Sequence, residues 1–255
     1  MRFIMVASLK GGVGKTTTAV GLARALHRSG KATGILDLDY RTPNVPIAMD
    51  NQVAQMDHIF EGDVLIPPVI GGIKVMSMAY IWPEWKCVQV SDEQAMEDVE
   101  HILKPGVVGW GDLDWLVVDT PPTSTGVVEI GLRAPGLVGA VIVTHASRVS
   151  RMDVLRTFDL FRETGVPIIS LVCNQTGLHD LQESDIQELG VQFGIPSFIS
   201  IPHSKEALEL VPFYDRIANA VQELTPVVLK VKQPEDIIWQ KLLQMSAALS
   251  GKRSS

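Results

Sequence analysis

The stretch SLKGGVGKTTT occupies residues 8–18 and follows a short apolar run, residues 3–8, that is typical of a β-strand. A helical pattern over residues 15–28 begins inside the same stretch. Glycines let the backbone turn several N–H groups towards one anion, and the positive end of the following helix adds to the attraction. Strand, glycine-rich loop and helix together predict a phosphate-binding loop.

Two side chains of this loop have specific predicted roles. Lys15 is placed to reach the β- and γ-phosphates of a nucleoside triphosphate, and the Thr16 hydroxyl is placed to coordinate Mg²⁺. The strict phosphate-loop pattern has Gly at the position of Leu9, so this loop is a variant. The other loop positions predicted to bind the nucleotide are Lys10, Gly11, Gly12, Val13, Gly14 and Thr17.

Short apolar runs alternate with amphipathic stretches of helical length along the chain. The predicted strands cover residues 3–8, 33–39, 73–78, 115–119, 139–144, 167–173 and 197–201. The predicted helices cover residues 15–28, 91–103, 150–164, 184–193, 214–224 and 235–249, the last being amphipathic. Continuous Val, Ile and Leu runs are typical of strands covered on both faces. The pattern predicts an α/β fold, a doubly wound, mostly parallel sheet with helices on both faces, in a single domain over residues 1–255.

Two predicted strands end in acidic residues. Asp119 ends the run at residues 115–119, and Asp37 and Asp39 end the run at residues 33–39. Ligands of such sheets bind beyond the carboxyl ends of the strands. An Asp in this position lies near the Mg²⁺ that Thr16 holds, and Asp119 fits this role best. Of Asp37 and Asp39, we expect at most one to orient an attacking water.

Composition excludes several classes of protein. The net charge is −7, from 22 basic and 29 acidic residues, so no overall basic field attracts a polyanion. The two cysteines, Cys87 and Cys173, form neither a CxxC pair nor a zinc pattern. The apolar start of the chain is interrupted at Gly11, short of a signal-peptide core, and no stretch approaches the ~20 apolar residues of a membrane span. We therefore expect a cytoplasmic protein.

Residues 10–17, KGGVGKTT, are similar to the deviant Walker A motif of the MinD/ParA/Mrp family of P-loop ATPases. Residues 37–46, 72–78 and 110–119 resemble the Mrp branch most closely. The resemblance extends from Arg2 to about Ala207. It implies a P-loop NTPase fold and a homodimer that hydrolyses ATP to ADP and phosphate with Mg²⁺, slowly and under stimulation by a partner.

The resemblance also implies roles for single residues. Lys10 reaches across a dimer to the partner's nucleotide, Asp39 positions the hydrolytic water, and Asp37 lies near Mg²⁺. ATP is implied rather than GTP because the Asn-Lys-x-Asp guanine signature is missing after Asn174. The catalytic set is then Lys10, Lys15 and Asp39, the metal set is Thr16, Asp37 and Asp119, and the base contacts are Asn174, Pro202 and His203.

The chain departs from the Mrp branch at one motif. Mrp-type carriers have a CxxC after the adenine-contacting Asn, where two subunits bridge an iron–sulfur cluster. Here residues 174–180 read NQTGLHD and contain no cysteine. Because thiolates hold such clusters, the resemblance does not extend to the cluster ligands.

Three functions remain open from the sequence. The leading one is a cytosolic ATPase whose dimer acts on an unidentified protein partner. The second is a nucleotide-gated positioning module on a membrane or DNA surface, suggested by the amphipathic pattern at residues 235–249 and the basic Lys252-Arg253 that follow it. The third is a metallocluster scaffold that uses Cys87 or Cys173 across a dimer.

Overall fold

The described part of the chain alternates strands and helices. The computed structural model describes residues 1–50, 60–80, 91–122, 125–178 and 181–223. The strands are β1 Arg2–Ala7, β2 Thr33–Asp37, β3 Phe60–Glu61, β4 Val64–Leu65, β5 Val69–Ile70, β6 Ile73–Met76, β7 Trp115–Asp119, β8 Leu137–Thr144, β9 Ile168–Thr176 and β10 Ser197–Pro202. The helices are α1 Lys15–Arg28, α2 Val45–Ala48, α3 Asp92–Ile102, α4 Thr125–Leu132, α5 Arg148–Thr164, α6 Glu183–Gln192 and α7 Val211–Gln222.

Eight strands form one sheet in the order β10-β9-β8-β1-β7-β2-β6-β5. All neighbouring strands of this sheet are parallel to each other except β5 and β6, which form an antiparallel pair. β3 and β4 form a separate antiparallel pair. The first strand of the chain lies between β7 and β8, so the chain winds outward from it in both directions. This arrangement confirms the predicted doubly wound, mostly parallel sheet.

Helices cover both faces of the sheet. On one face, Leu22 and Leu26 of α1 and Ile217 of α7 are fully buried against the strands. On the other face, Phe158 and Phe161 of α5 are buried in a core that also includes α4 and α6. Burying an apolar side chain of this size contributes roughly 1.5–3 kcal/mol relative to exposing it. The two apolar layers thus hold the sheet between the helices, as the strand composition predicted.

Helix α4 was not predicted from the sequence. Its segment contains two glycines, Gly126 and Gly131, together with β-branched residues, and these residue types have low helix propensity. The helix nevertheless buries Val127, Val128 and Leu132 in the core. A Cβ on Gly126 would approach the Met96 sulfur to 2.5 Å, so the glycines also allow close packing. Tertiary packing therefore outweighs local propensity here.

The boundaries of several elements differ from the prediction. β2 ends at Asp37 rather than at residue 39, because an Asp37 carboxylate oxygen accepts from the Asp39 backbone N–H and turns the chain. α5 begins at Arg148 because Ser147 caps it by accepting from the Ser150 N–H at 3.2 Å. The segment between the second and third predicted strands, for which no element was predicted, contains α2, β3, β4 and β5.

Some predictions fall on residues that the structure does not describe. The amphipathic helix at residues 235–249 and Cys87 lie outside the described residues. The assignment of residues 1–255 to a single domain therefore stays a prediction. Among the described helices, none has the length and apolar character needed to cross a membrane.

Candidate phosphate and metal site

The glycine-rich loop turns sharply before α1. Gly12 and Gly14 have φ angles of 75° and 88°, in the left-handed region that side-chain-bearing residues rarely adopt. Gly14 is the N-cap of α1, and Val13 is fully buried below the loop. The backbone N–H groups at the start of a helix lack helical partners and attract anions. The loop therefore has a backbone geometry that fits the predicted phosphate site, and phosphate binding itself stays a prediction.

Lys15 is the first residue of α1, and its side chain is buried beside the loop. Its ammonium Nζ donates to the Lys10 carbonyl oxygen at 3.1 Å. Burial lowers the pKa of Lys15, whereas the nearby Asp119 and Asp39 carboxylates act in the opposite direction. A buried ammonium with one carbonyl partner has donor capacity left for a phosphate oxygen.

Asp119 and Thr16 meet where β7 and α1 approach each other. Asp119 is in register with Val6 of β1 and with Asp37 of β2, so the ends of three strands coincide. The Thr16 hydroxyl donates to Asp119 Oδ2 at 2.6 Å. Asp119 Oδ1 is buried and has no hydrogen-bond partner within the described part of the chain. This orphaned carboxylate oxygen beside a hydroxyl matches the hard oxygen ligands that Mg²⁺ takes.

The electrostatics of the site also favour a cation. Burial raises the pKa of Asp119 to about 7, although the Thr16 hydroxyl and Lys15 act to lower it. Burial and the neighbouring Asp119 raise the pKa of Asp37 well above its usual range. The described residues contain no group of three or more His, Cys, Asp or Glu side chains arranged to hold a metal ion. The Thr16–Asp119 pair is the oxygen-ligand pair that would hold a Mg²⁺ ion here, with phosphate oxygens of a ligand supplying further ligands.

Asp37 is buried next to Asp119, and both of its carboxylate oxygens accept hydrogen bonds. Oδ1 accepts from the Asp39 N–H at 3.0 Å, and Oδ2 accepts from the Val45 N–H at 3.2 Å and the Ser77 hydroxyl at 3.0 Å. These bonds hold the turn after β2 and the start of α2. Asp37 is thus close to the predicted metal position, but both of its carboxylate oxygens already accept hydrogen bonds from the protein. Its role as a metal ligand stays a prediction.

Asp39 lies just beyond β2 and is partly exposed. Its Oδ1 accepts from the Arg41 and Thr42 backbone N–H groups at 3.3 and 3.0 Å, and its Oδ2 accepts from the Thr42 hydroxyl at 3.0 Å. The carboxylate acts electrostatically on both Lys15 and Asp119. The structure therefore brings Asp39 to the same end of the sheet as the predicted phosphate and metal residues.

Lys10 contacts a residue that the sequence did not indicate. Its Nζ donates to the Ser150 hydroxyl at 2.9 Å, and Ser150 in turn accepts from the Ser147 hydroxyl at 2.7 Å. Lys10 and Ser150 are separated by 140 positions in the chain. Ser77, the donor to Asp37, was likewise not indicated. Ser77 lies within the segment 72–78 that resembles the Mrp branch, but that resemblance assigned it no role, and Ser150 lies in none of the motifs noted in the sequence.

The predicted base contacts divide into two groups. Asn174 reaches the loop itself, because its Nδ2 donates to the Val13 carbonyl oxygen at 2.9 Å. Pro202 is the last residue of β10 and His203 follows it; both are exposed, and Pro202 pairs with Thr176 of β9. The His203 N–H donates to the Thr176 carbonyl oxygen at 3.3 Å. The structure thus brings Asn174 to the phosphate loop and leaves Pro202 and His203 on the neighbouring strand ends.

The raised pKa of Asp119 predicts a pH dependence of folding stability in the ligand-free protein. The pKa is higher in the folded chain, about 7, than its ordinary 3.8, so the folded state holds the proton more strongly. The free energy of unfolding should therefore fall as the pH rises from about 4 to about 7. The Asp119→Asn variant, which cannot ionise, should show a smaller fall in urea denaturation at successive pH values.

The matched control for this prediction is Asp50→Asn, since the Asp50 side chain is 88% exposed. It should leave the pH dependence of the parent chain nearly unchanged. An identical pH dependence in the parent and the Asp119→Asn variant would contradict the raised pKa.

Comparison with known proteins identifies the family. The model of the family described as "ParA: NUBPL iron-transfer P-loop NTPase" matches residues 1–249. The chain is 37% identical over 250 residues to an iron-sulfur cluster carrier protein of Helicobacter pylori, over 94% of this chain and 65% of that protein. It is 38% identical over 176 residues to the iron-sulfur cluster transfer protein NUBPL of Mus musculus, over 68% of this chain and 54% of that protein. The chain thus spans about two thirds of the first relative and about half of the second.

Solved structures show the same architecture. A nucleotide-binding protein from Archaeoglobus fulgidus, in complex with ADP, is 26% identical with a TM-score of 0.63, over 88% of this chain and 89% of that one. The septum site-determining protein MinD from Pyrococcus horikoshii, complexed with Mg-ADP, is 17% identical with a TM-score of 0.66, over 90% of this chain and 99% of that one, and shares the fold. These matches confirm the resemblance drawn from the loop motif, and the chain belongs to the ParA/NUBPL family of iron-transfer P-loop NTPases.

Proposed function

We propose that this chain is a Mg²⁺-dependent ATPase of the cytoplasm that works as a homodimer and transmits its nucleotide state to a protein partner. The observation that supports this most is the Thr16–Asp119 pair, with its buried and unpartnered Asp119 oxygen, directly beside the glycine-rich loop. Membership in a P-loop NTPase family supports nucleotide binding. The missing guanine signature after Asn174 favours ATP over GTP.

Phosphate binding uses the loop and the first residue of α1. The loop N–H groups and the Lys15 ammonium bind phosphate oxygens, with Lys15 exchanging its bond to the Lys10 carbonyl for one to the ligand. Thr16 and Asp119 hold the metal ion, with Asp37 beside them. When bound, Mg²⁺ neutralises negative charge on the terminal phosphates during transfer.

Hydrolysis depends on a correctly placed water. Enzymes catalyse phosphoryl transfer mainly by positioning the reacting groups and by stabilising the charge of the transition state. A residue that orients the attacking water is therefore sufficient to activate it. The Asp39 carboxylate is held by the Thr42 N–H and hydroxyl and lies near Lys15. In our proposal it accepts a hydrogen bond from the attacking water and aligns it with the terminal phosphate.

Dimerisation involves Lys10. In the single chain its ammonium bonds the Ser150 hydroxyl at 2.9 Å. To reach a nucleotide bound by a second copy, Lys10 must leave Ser150 and exchange a neutral acceptor for an anionic one. An ammonium is attracted more strongly to an anionic phosphate oxygen than to a neutral hydroxyl, because the Coulomb attraction of opposite charges is added, so ATP on the partner favours this exchange.

Replacement of Lys15 tests phosphate binding. Lys15→Ala should abolish ATP binding measured by isothermal titration calorimetry with Mg²⁺, because it removes the buried ammonium beside the loop. Lys104→Ala, which removes an exposed lysine distant from the loop in sequence, should bind as the parent chain does. ATP binding by folded Lys15→Ala with the parent affinity would refute the assigned role.

Replacement of Asp39 tests the water-orienting role. Asp39→Ala should preserve ATP binding, reduce turnover by at least about 100-fold, as expected when a group that activates water is lost, and accumulate a dimer with bound ATP. Phosphate release and size-exclusion chromatography with ATP measure the two effects. Turnover at the parent rate would remove Asp39 from the mechanism and leave nucleotide binding in place.

A second candidate function is the handling of an iron–sulfur cluster as cargo. It is favoured by the names of the Helicobacter pylori and mouse relatives. The present chain departs from the CxxC pattern, and Cys173 is fully buried in the core with its pKa raised to about 12 by burial. A protonated core thiol is a poor ligand, since clusters bind thiolates. Cys87, outside the described residues, is then the remaining thiol to test.

Anaerobic reconstitution with iron and sulfide, followed by absorption spectroscopy, tests whether the chain binds an iron–sulfur cluster. If two copies hold a cluster through Cys87, the protein becomes coloured, Cys87→Ser abolishes the colour and Cys173→Ser retains it. A parent chain that stays colourless, or colour that persists in Cys87→Ser, would overturn the assignment of Cys87.

A further inference from the structure

The side chain of Asn174 contacts the backbone of the phosphate loop. Its Nδ2 donates to the Val13 carbonyl oxygen at 2.9 Å, across 161 positions of the chain. Both residues are buried, with Asn174 only 7% exposed and Val13 fully enclosed. The contact therefore connects β9 to the loop in a region shielded from water, where a hydrogen bond is stronger than on the surface.

The contact sets the orientation of one peptide group. In a trans peptide the C=O of one residue and the N–H of the next point in opposite directions. When Asn174 holds the Val13 carbonyl, the Gly14 N–H points away from Asn174. A peptide next to glycine rotates easily, because glycine accepts both signs of φ. Without the hydrogen bond from Asn174, the same peptide is free to rotate and to point the Val13 carbonyl oxygen towards the phosphate. The partial negative charge of this oxygen would then repel the phosphate.

The packing around Gly14 supports a close and specific fit. Gly14 has φ 88°, and a Cβ built on it would overlap the Asn174 amide nitrogen. The amide thus lies directly against the backbone at the start of α1. A side chain at position 14 would displace the Asn174 amide, so glycine is required here for this contact as well as for the turn.

The backbone of β9 changes direction just after Asn174. Gln175 has φ 54°, a left-handed conformation that is uncommon for a residue with a side chain. The pairing register between β9 and β10 shifts at the same point, between Ser200 and Pro202. Such outliers persist only where surrounding contacts maintain them, and they concentrate at functional sites. Here the irregular backbone directly follows the residue that holds the loop.

We infer that Asn174 is a positioning residue for the phosphate loop, in addition to the adenine contact that the family resemblance implies. It acts through Val13 and keeps the Gly14 N–H available to phosphate. This inference rests on the proposed nucleotide binding. Asn174 therefore also affects the binding of a ligand that has phosphates but no base.

The test compares ATP with inorganic tripolyphosphate, each with Mg²⁺, by isothermal titration calorimetry. Loss of one neutral hydrogen bond corresponds to roughly a 3- to 10-fold loss of affinity. Asn174→Ala should weaken tripolyphosphate binding by about this factor, and ATP binding by at least as much. If tripolyphosphate binds Asn174→Ala with the parent affinity while ATP binding weakens, Asn174 contacts only the base and the inference is wrong.

Ser170→Ala is a matched control. Ser170 is buried on the same strand, and its hydroxyl donates to the Ser197 hydroxyl at 3.2 Å, away from the loop. It removes one neutral hydrogen bond of β9 and should leave both affinities at the parent values. Equal losses in Ser170→Ala and Asn174→Ala would reveal a general weakening of β9 and overturn the inference.

Two further measurements cover the remaining outcomes. If Asn174→Ala does not fold, the same titrations are made with Asn174→Ser, because the short serine side chain also lacks the amide donor. If the parent chain binds ATP but no tripolyphosphate, amide hydrogen exchange decides: faster exchange at Gly14 in the variant supports the inference, and equal exchange overturns it. A folded parent chain that binds neither ligand would refute the proposed function itself.

Discussion

The parallel pairing of β1, β7 and β2 is the constraint on which the site depends. Val6, Asp119 and Asp37 lie in register across these strands, so their following segments leave the sheet at one edge. Because all three strands point the same way, the glycine-rich loop, the Asp119 carboxylate and the turn with Asp39 are brought together. A mispaired or reversed strand would separate groups that contact each other at hydrogen-bond distance, such as Thr16 and Asp119.

The same edge concentrates buried charge that the chain alone does not balance. Asp37, Asp119 and Lys15 are all buried. Burial raises the pKa of both aspartates and lowers the pKa of Lys15, so it favours the uncharged form of each group. Burying ionisable groups lowers stability unless they are paired. In the proposed function, a cation beside Asp119 and a polyanion beside Lys15 would together supply the missing charged partners. Groups whose burial lowers the stability of the chain by itself are thus the groups that the proposed joint binding of metal and phosphate would stabilise.

The chain shares the phosphate loop of its family but differs where the Mrp-type pattern has its cysteines. Asn174 is followed by Gln175 and Thr176, and the preceding Cys173 faces the core rather than solvent. In this chain the end of β9 is therefore occupied by hydrogen bonds to the loop and to β10. A shared fold does not transfer cargo chemistry, because that chemistry depends on side chains at the strand end.

Local periodicity and the placement of glycines are sufficient to predict the order of the main strands and helices, the glycine-rich loop and the position of Asp119 at a strand end. Three features arise only in the assembled fold: the formation of α4, the contact of Lys10 with Ser150 and the contact of Asn174 with Val13. α4 has weak local propensity and forms through packing. The two contacts join residues 140 and 161 positions apart, and such distances in the chain are closed only by the assembled sheet.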